Sequence, residues 1–393
     1  MSNTSAPWSF CKLGDLGTVI RGASPRPQGD PRYYGGHVPR LMVKDVTRDK
    51  KYVTPQIDFL TEEGAKLSRP VKKGTLTIVC SGTVGVPAIL AVDACIHDGF
   101  LAITNLKPEW DTEFLYQLLL REQQRFDKSA THGGVFTNLT TEIVKEFEIP
   151  APPLKEQRRI AEILGSWDKA IELVERLIEE KQQLKRAWAQ RLLVSKHRIG
   201  TGRQDSKWMT LSAEQIFTVR SERKHGDKPV LSVTQDQGVV IRDSLDRRIA
   251  MTESDPNNFK LVRKGDFVIS LRSFQGGLEC SEIEGIVSPA YHVIYPKIPI
   301  SQSYFRHLFK SYWFIGHLAT AVIGIRDGKQ ISFQDFEFME LPFPPIEEQE
   351  RIGRFMDTLN VEQSLFNEQL KALTEQKRGL MQRLLTGKIR VKV

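Results

Sequence analysis

The chain has 393 residues, enough to bury sizeable cores and to form two or three domains. Its hydrophobic fraction of 40% and charged fraction of 26% are those of an ordinary globular protein and exclude a disordered chain. Lys and Arg outnumber Asp and Glu by 56 to 48, and the resulting net charge of +8 suits a polyanionic partner such as nucleic acid.

In chain order, Met1 to Ser9 is polar and lacks the apolar segment of a signal peptide. Residues 1–149 then carry short β-rich runs, Thr75 to Cys80, Val86 to Val92 and Phe100 to Thr104, between Gly and Pro punctuation. They close on a helix-like segment, Glu113 to Phe126. A proline cluster, Pro150 to Pro153, gives a stiff extended approach to residues 150–199. Here Ile160, Trp167, Val174 and Trp188 fall on one seven-residue row (Lys181 occupying the intermediate place), and Leu164, Ile171, Ile178 and Leu192 on a second. The spacing predicts a long amphipathic helix of coiled-coil type.

A polar, glycine-containing linker, Val194 to Lys207, leads into residues 200–341. This region is again β-rich and ends in a helix-like segment, Ser303 to Ala319. The most apolar run, Tyr312 to Ile325, contains His317 and is too short to span a bilayer. The four cysteines, Cys11, Cys80, Cys95 and Cys280, form no CxxC pair and fit neither a zinc site nor a disulfide framework. A reduced, cytoplasmic protein is expected.

Residues 342–393 repeat what 150–199 began. Pro150-Ala151-Pro152-Pro153-Leu154-Lys155-Glu156-Gln157 returns as Pro342-Phe343-Pro344-Pro345-Ile346-Glu347-Glu348-Gln349, 192 positions later. The register holds to Gln190-Arg191-Leu192-Leu193 and Gln382-Arg383-Leu384-Leu385. The second helix-like copy places Ile352, Leu359, Phe366, Leu373 and Leu380 on its apolar row. The β-rich regions match only weakly, as in Val71-Lys72-Lys73-Gly74 against Val262-Arg263-Lys264-Gly265. An internal repeat of this kind predicts one scaffold carrying two different heads, with the two helices packed antiparallel. The fold class expected is therefore α+β.

Chemistry of its own is not expected of this chain. Gly324 to Gln330 imitates a phosphate loop but is one residue short and has Gln where Ser or Thr should hold magnesium. Glu222-Arg223-Lys224 has a nuclease-like order in a polar turn, and the histidines show no metal-binding spacing. No catalytic and no metal residue is assigned.

Binding is better supported. Ser81 and Thr83 lie in a Gly-rich turn after a strand, and Arg272, Ser273 and Gln275 occupy the corresponding place in the second half. Such loops bring backbone close to phosphate, while Arg and Gln can read base edges. A second pair of loops holds His132 and Asn138, and Arg326, Lys329 and Gln330. Arg21 and Arg26 with Lys44 and Arg48 form a third candidate contact.

A proline cluster followed by Glu-Gln-x-Arg-Ile, a long helix closing on Gln-Arg-Leu-Leu, and a second copy after a variable region together resemble the DNA-specificity subunit of type I restriction–modification systems. Tyr33-Tyr34-Gly35-Gly36-His37-Val38-Pro39 and Lys73-Gly74-Thr75-Leu76 fit the same pattern. The segment Pro39-Arg40-Leu41-Met42 lacks the tryptophan often found there, and the second head has no Tyr-Tyr-Gly-Gly stretch. The resemblance implies four parts: target-recognition domains at 1–149 and 200–341, and spacer helices at 150–199 and 342–393. It implies that each head reads half of a split double-stranded DNA site. The helices would dock two methyltransferase subunits, with restriction subunits joining them. S-adenosylmethionine, ATP and Mg²⁺ would belong to those partners. The rival reading is a stand-alone nuclease that uses the repeat as scaffold.

Overall fold

The computed structural model describes residues 8–132, 137–194, 208–235, 237–245, 255–270, 273–322 and 333–392. The chain forms two compact units, unit 1 from Met1–Val174 with Gln369–Val393 and unit 2 from Glu175–Glu368. The expected boundaries after residues 149, 199 and 341 are not where these units divide. The division falls inside the two long helices, Leu154–Leu193 and Ile346–Leu384.

Both helices start at the last proline of their cluster. The Pro153 carbonyl accepts from Gln157 N–H at 3.0 Å, and the Pro345 carbonyl accepts from Glu348 and Gln349. A proline here loses nothing, because the first amides of a helix have no partner inside it. Glu156 in the first turn of one helix and Glu347 and Glu348 in that of the other suit the positive end of the helix dipole. The second helix stops at Gly387, whose φ of +70° allows Ile389 N–H to return to the Arg383 carbonyl.

In unit 1 the central sheet runs in the order Thr18–Arg21, Phe100–Thr104, Leu76–Val79, Pro87–Leu90, Tyr52–Val53. Its strands are apolar on both faces because there is a core on each side. Leu101 and Ile103 point into a helical core, and Phe100 and Ala102 into a second core shared with a four-stranded sheet ordered Asp58–Leu60, Tyr34–Leu41, Ala94–Ile96, Pro70–Val71. The helical core also takes Ile160, Ala161 and Leu164 from the start of the first long helix and Leu384 and Leu385 from the end of the second. Ser9–Lys12 pairs antiparallel with Glu148–Ala151, the strand that enters the proline cluster.

Unit 2 repeats this plan on a smaller sheet, ordered Phe217–Arg220, His292–Pro296, Phe267–Ile269, Glu279–Cys280. Phe267, Ile269 and Ile294 face an aromatic core with Phe217, Phe305 and Phe309, while Val268 and Val293 face the opposite side. Ile352 and Met356 from the start of the second long helix and Leu192 and Leu193 from the end of the first complete this core. Met209–Ser212 pairs with Glu340–Phe343 as the first strand does in unit 1. The single helix expected over Ser303 to Ala319 is instead two, Gln302–Phe309 and Tyr312–Val322. Ser311 breaks it, accepting from Phe314 N–H at 3.2 Å as a helix cap.

Within each unit the long helices run antiparallel. In unit 1, Asp168 of the first accepts from Lys377 of the second and from Gln117 of the helix Thr112–Ser129. In unit 2, Lys181 pairs with Glu362 at 2.6 Å and Trp188 packs edge-on against Phe355 at 5.5 Å. Of the expected stripe, Ile160 and Ile352 are fully buried. Trp167, Val174, Trp188, Leu359, Phe366, Leu373 and Leu380 are half-buried. The helices are thus neither free-standing nor wholly shared, since their ends belong to head cores and their middles to each other.

Unit 1 also gathers both chain ends. Arg390 forms a bidentate pair with Glu156 and lies over the Trp8 ring, and Trp8 Nε1 donates to Glu156. The Arg390 hydrogen bonds hold the Glu156 carboxyl below the ordinary glutamate range, against the opposing effect of burial. A carboxyl depressed on folding stabilises fully above its unfolded pKa, near 4.3, and loses that contribution as pH falls through the folded value. Glu156→Gln should therefore flatten the acid limb of the unit 1 stability–pH curve below about pH 4.3. Chemical denaturation at several pH values would check this, and an unchanged acid limb would refute it.

Candidate nucleic-acid interface

Four loops of unit 1 meet around Asp98. The strand Thr18–Arg21 ends in Arg21, whose Nε donates to the Asp98 carbonyl at 3.1 Å. The next residue must be glycine, since a β-carbon at Gly22 would stand 2.0 Å from the His97 carbonyl oxygen. Ser24 Oγ donates to the Asp98 carboxylate at 3.1 Å, and Arg26 lies 3.7 Å from it with a side chain 71% exposed. His97 completes the ring. Gly99 N–H donates to its Nδ1 at 2.9 Å, so the neutral ring carries its proton on Nε2 and gives it to Asp98 at 2.8 Å. Burial pushes the His97 pKa down, favouring that neutral form.

The Gly-rich turn joins the same cluster. Cys80 N–H donates to the Gly99 carbonyl and its thiol to the Asp98 carbonyl. Leu139 N–H donates to the Cys80 carbonyl, and Ser81 bridges to Asn138 as an antiparallel pair. Burial pushes the Cys80 thiol up to about 11, so it remains a neutral thiol. Thr83 is exposed at the tip of the turn. The fold therefore brings Arg21, Arg26, Ser81 and Asn138 together from loops far apart in the chain. Sequence reasoning missed Ser24, His97 and Asp98. Their one signal is a polar His-Asp-Gly triplet between the apolar runs Ala94–Ile96 and Phe100–Thr104.

Lys44 is exposed on the short helix Val43–Asp49. Arg48 on the same helix is committed to its own surroundings. It binds both oxygens of Asp49, Asp45 at 3.1 Å and the Thr54 carbonyl at 2.7 Å, so it braces a loop. His132 is placed only through the pairing of its backbone with Thr137.

Unit 2 furnishes the same places differently. Arg220 ends the strand that corresponds to Thr18–Arg21, but it is buried. It is bidentate to Asp266, bonded to Glu222 at 2.7 Å, and set 4.3 Å from the Tyr295 ring centre. Ser273 must be withdrawn as a surface contact: it is 1% exposed, and its hydroxyl accepts from Ser270 N–H at 2.8 Å. Gln275 is exposed beside it. Arg272, Arg326, Lys329 and Gln330 lie outside the described residues. Arg220→Ala would leave buried Asp266 without its cation, while Glu222 keeps Arg263, and unit 2 should lose about 3–5 kcal/mol. Denaturation followed by hydrogen exchange in unit 2 measures this, and a loss under 1 kcal/mol would contradict a structural role.

Residues 6–183 and 206–376 match the type I restriction modification DNA specificity domain, once in each half. The chain belongs to this family. Among relatives of the specificity-domain family, the type I restriction enzyme MjaVIII specificity subunit of Methanocaldococcus jannaschii is 22% identical, over 98% of this chain and 93% of its own. The MjaIX specificity subunit of the same organism is 30% identical over 42% of this chain and 39% of its own. The fold is similar to a crystal structure of a type I restriction–modification S subunit from M. genitalium, with a TM-score of 0.59, 17% identity and 98% of each chain covered. A structure reported for assembly and conformational transition of the type I system gives a TM-score of 0.60 at 16% identity, covering 98% of this chain and 99% of that one. No described helix is long and apolar enough to cross a membrane.

Proposed function

We propose that this chain is the DNA-specificity subunit of a type I restriction–modification complex, and that each head reads one half of a bipartite double-stranded site. The observation that carries the reading is one scaffold built twice and furnished differently. The arginine ending the corresponding strand is exposed as Arg21 in unit 1 and is a buried strut as Arg220 in unit 2. Equal scaffolds with unequal loops suit an asymmetric site, because a duplex offers equivalent faces only at matched turns. Arg21, Arg26, Ser81 and Asn138 are the contacts favoured in head 1, and Gln275 in head 2.

The long helices set the unread gap and dock two methyltransferase subunits. Each unit exposes one copy of the same leucine, Leu173 at 57% and Leu365 at 59%, which suits a partner that docks twice. S-adenosylmethionine, ATP and Mg²⁺ serve the partner subunits, and this chain contributes no catalytic group. The setting in which it works is the cytoplasm.

Methylome sequencing of cells carrying the system tests the reading. A split adenine-methylated motif with a fixed gap is expected, and an uninterrupted motif would count against it. Arg21→Ala should weaken binding of the assembled complex to its site by about 1–3 kcal/mol. Fluorescence anisotropy at fixed salt measures that loss, and unchanged affinity would remove Arg21 from the interface. Incubating the purified chain alone with DNA and Mg²⁺ tests the nuclease reading, which cutting would favour.

A further inference from the structure

The long helices repeat in register, yet a facing ion pair of unit 1 has no equal at the corresponding place in unit 2. In unit 1, Lys377 on the second long helix meets Asp168 on the first, and Gln117 braces the same carboxylate. The repeat puts Lys185 at the place of Lys377 and Asn360 at the place of Asp168. Unit 2 thus keeps the cation and lacks its anion. Lys185 is half-buried, and among the described residues its Nζ reaches only the Gln363 amide oxygen, at 3.4 Å. Beside Lys185, unit 2 opens a cleft of about 1240 Å³ lined also by Arg186, Asn360, Gln363, Lys310 and Tyr312.

We propose that this cleft is a docking site for a carboxylate carried on a helical segment of a partner protein, with Lys185 as its counter-charge. A half-buried ammonium without a counter-ion is costly, and an incoming acid relieves that cost. Burial alone holds the Lys185 ammonium below the ordinary lysine range, with no carboxylate offsetting it. The two acids on the cleft wall are already engaged, Glu279 with Lys310 and Glu282 with Arg306. One carboxylate completes this place in unit 1, so a single protein carboxylate, rather than a run of phosphates, is the occupant that completes it in unit 2. The matching place in unit 1 takes its carboxylate from a helix, and Tyr312, 73% exposed at the cleft, offers apolar surface that a small anion would not use.

This rests on the reading that methyltransferase subunits dock on the long helices, and those subunits are the probe. The full chain, wild type or carrying Lys185→Gln or Asn360→Asp, is co-expressed with them and titrated by native mass spectrometry. Wild type should bind two. Each variant should bind one of the two at least about tenfold more weakly. Asn360→Asp should do so without a fall in Tm, because it supplies the internal carboxylate that Asp168 supplies in unit 1. If wild type binds two and both variants match it, this proposal is overturned and the docking reading stands. If wild type binds none, the docking reading fails and takes the proposal with it. Loss of DNA affinity in the Lys185→Gln chain without partners would make the cleft a nucleic-acid site and overturn the proposal.

Discussion

Four residues inserted into each long helix, between Val174 and Glu175 and between Glu368 and Gln369, will lengthen the unread gap by nearly two base pairs. The insertion points are the unit boundary in both helices. Four helical residues add about 6 Å, and B-DNA advances about 3.4 Å per base pair. Both helices must be lengthened together. Extending the first alone would draw Leu192 and Leu193 out of the unit 2 core, and extending the second alone would draw Leu384 and Leu385 out of the unit 1 core. Methylation-site sequencing of the doubly inserted variant reads the gap directly. An unchanged gap would show that the helices do not set it.

A stability effect as large as that at Arg220 is expected at Gln157 and Gln349, the shared glutamine of the repeated word. Gln157 is 1% exposed, and its side chain spans three backbone groups. Its Oε1 accepts from Asp111 N–H at 2.9 Å, and its Nε2 donates to the carbonyls of Glu109 at 3.0 Å and Pro152 at 2.9 Å. Gln349, fully buried, accepts from Ser301 N–H and donates to the Pro344 carbonyl, both at 2.9 Å. In each unit the amide clamps the cap of the head helix to the proline cluster and the first turn of the long helix. Alanine would strand two or three buried backbone groups at about 1–3 kcal/mol each. Gln157→Ala should destabilise unit 1 by about 3–5 kcal/mol and leave unit 2 unchanged, with the reverse for Gln349→Ala. Hydrogen exchange resolved by unit distinguishes the two, and a loss spread equally over both units would sink the clamp.

That glutamine shows how much of the molecule was legible in the sequence. The word containing it was readable because two copies keep it in register, yet its role was not, since its partners Asp111 and Ser301 lie more than forty residues upstream. The α+β plan and the long helices follow from periodicity and proline placement, which act locally, and the two heads and the antiparallel packing follow from the 192-residue repeat. The Asp98 cluster did not, because Ser24, Ser81, Asp98 and Asn138 meet only once the central sheet is formed. Ser273 was misjudged for the opposite reason. A serine in a polar, glycine-rich stretch reads as a surface hydroxyl, but a local bond to Ser270 N–H turns it inward. Arg21 and Arg220 end corresponding strands, and only the carboxylates around Arg220 make one a strut and the other a surface group.

Unit 1 is assembled from two stretches that flank unit 2 in the chain, Met1–Val174 and Gln369–Val393, and that fixes an order of events during synthesis. Unit 2 is one continuous stretch, Glu175–Glu368, and can close as soon as it leaves the ribosome. Head 1 emerges first but must wait for Leu384, Leu385 and Arg390, over two hundred residues behind Leu164. At about 5–20 residues per second this is a delay of roughly ten to forty seconds. Throughout it, Ile160, Leu164 and Trp8 lack the surface that finally covers them. Of the two units, the one begun earlier is therefore the one finished later, and a ribosome that stops before Leu384 leaves unit 1 open while unit 2 is already whole.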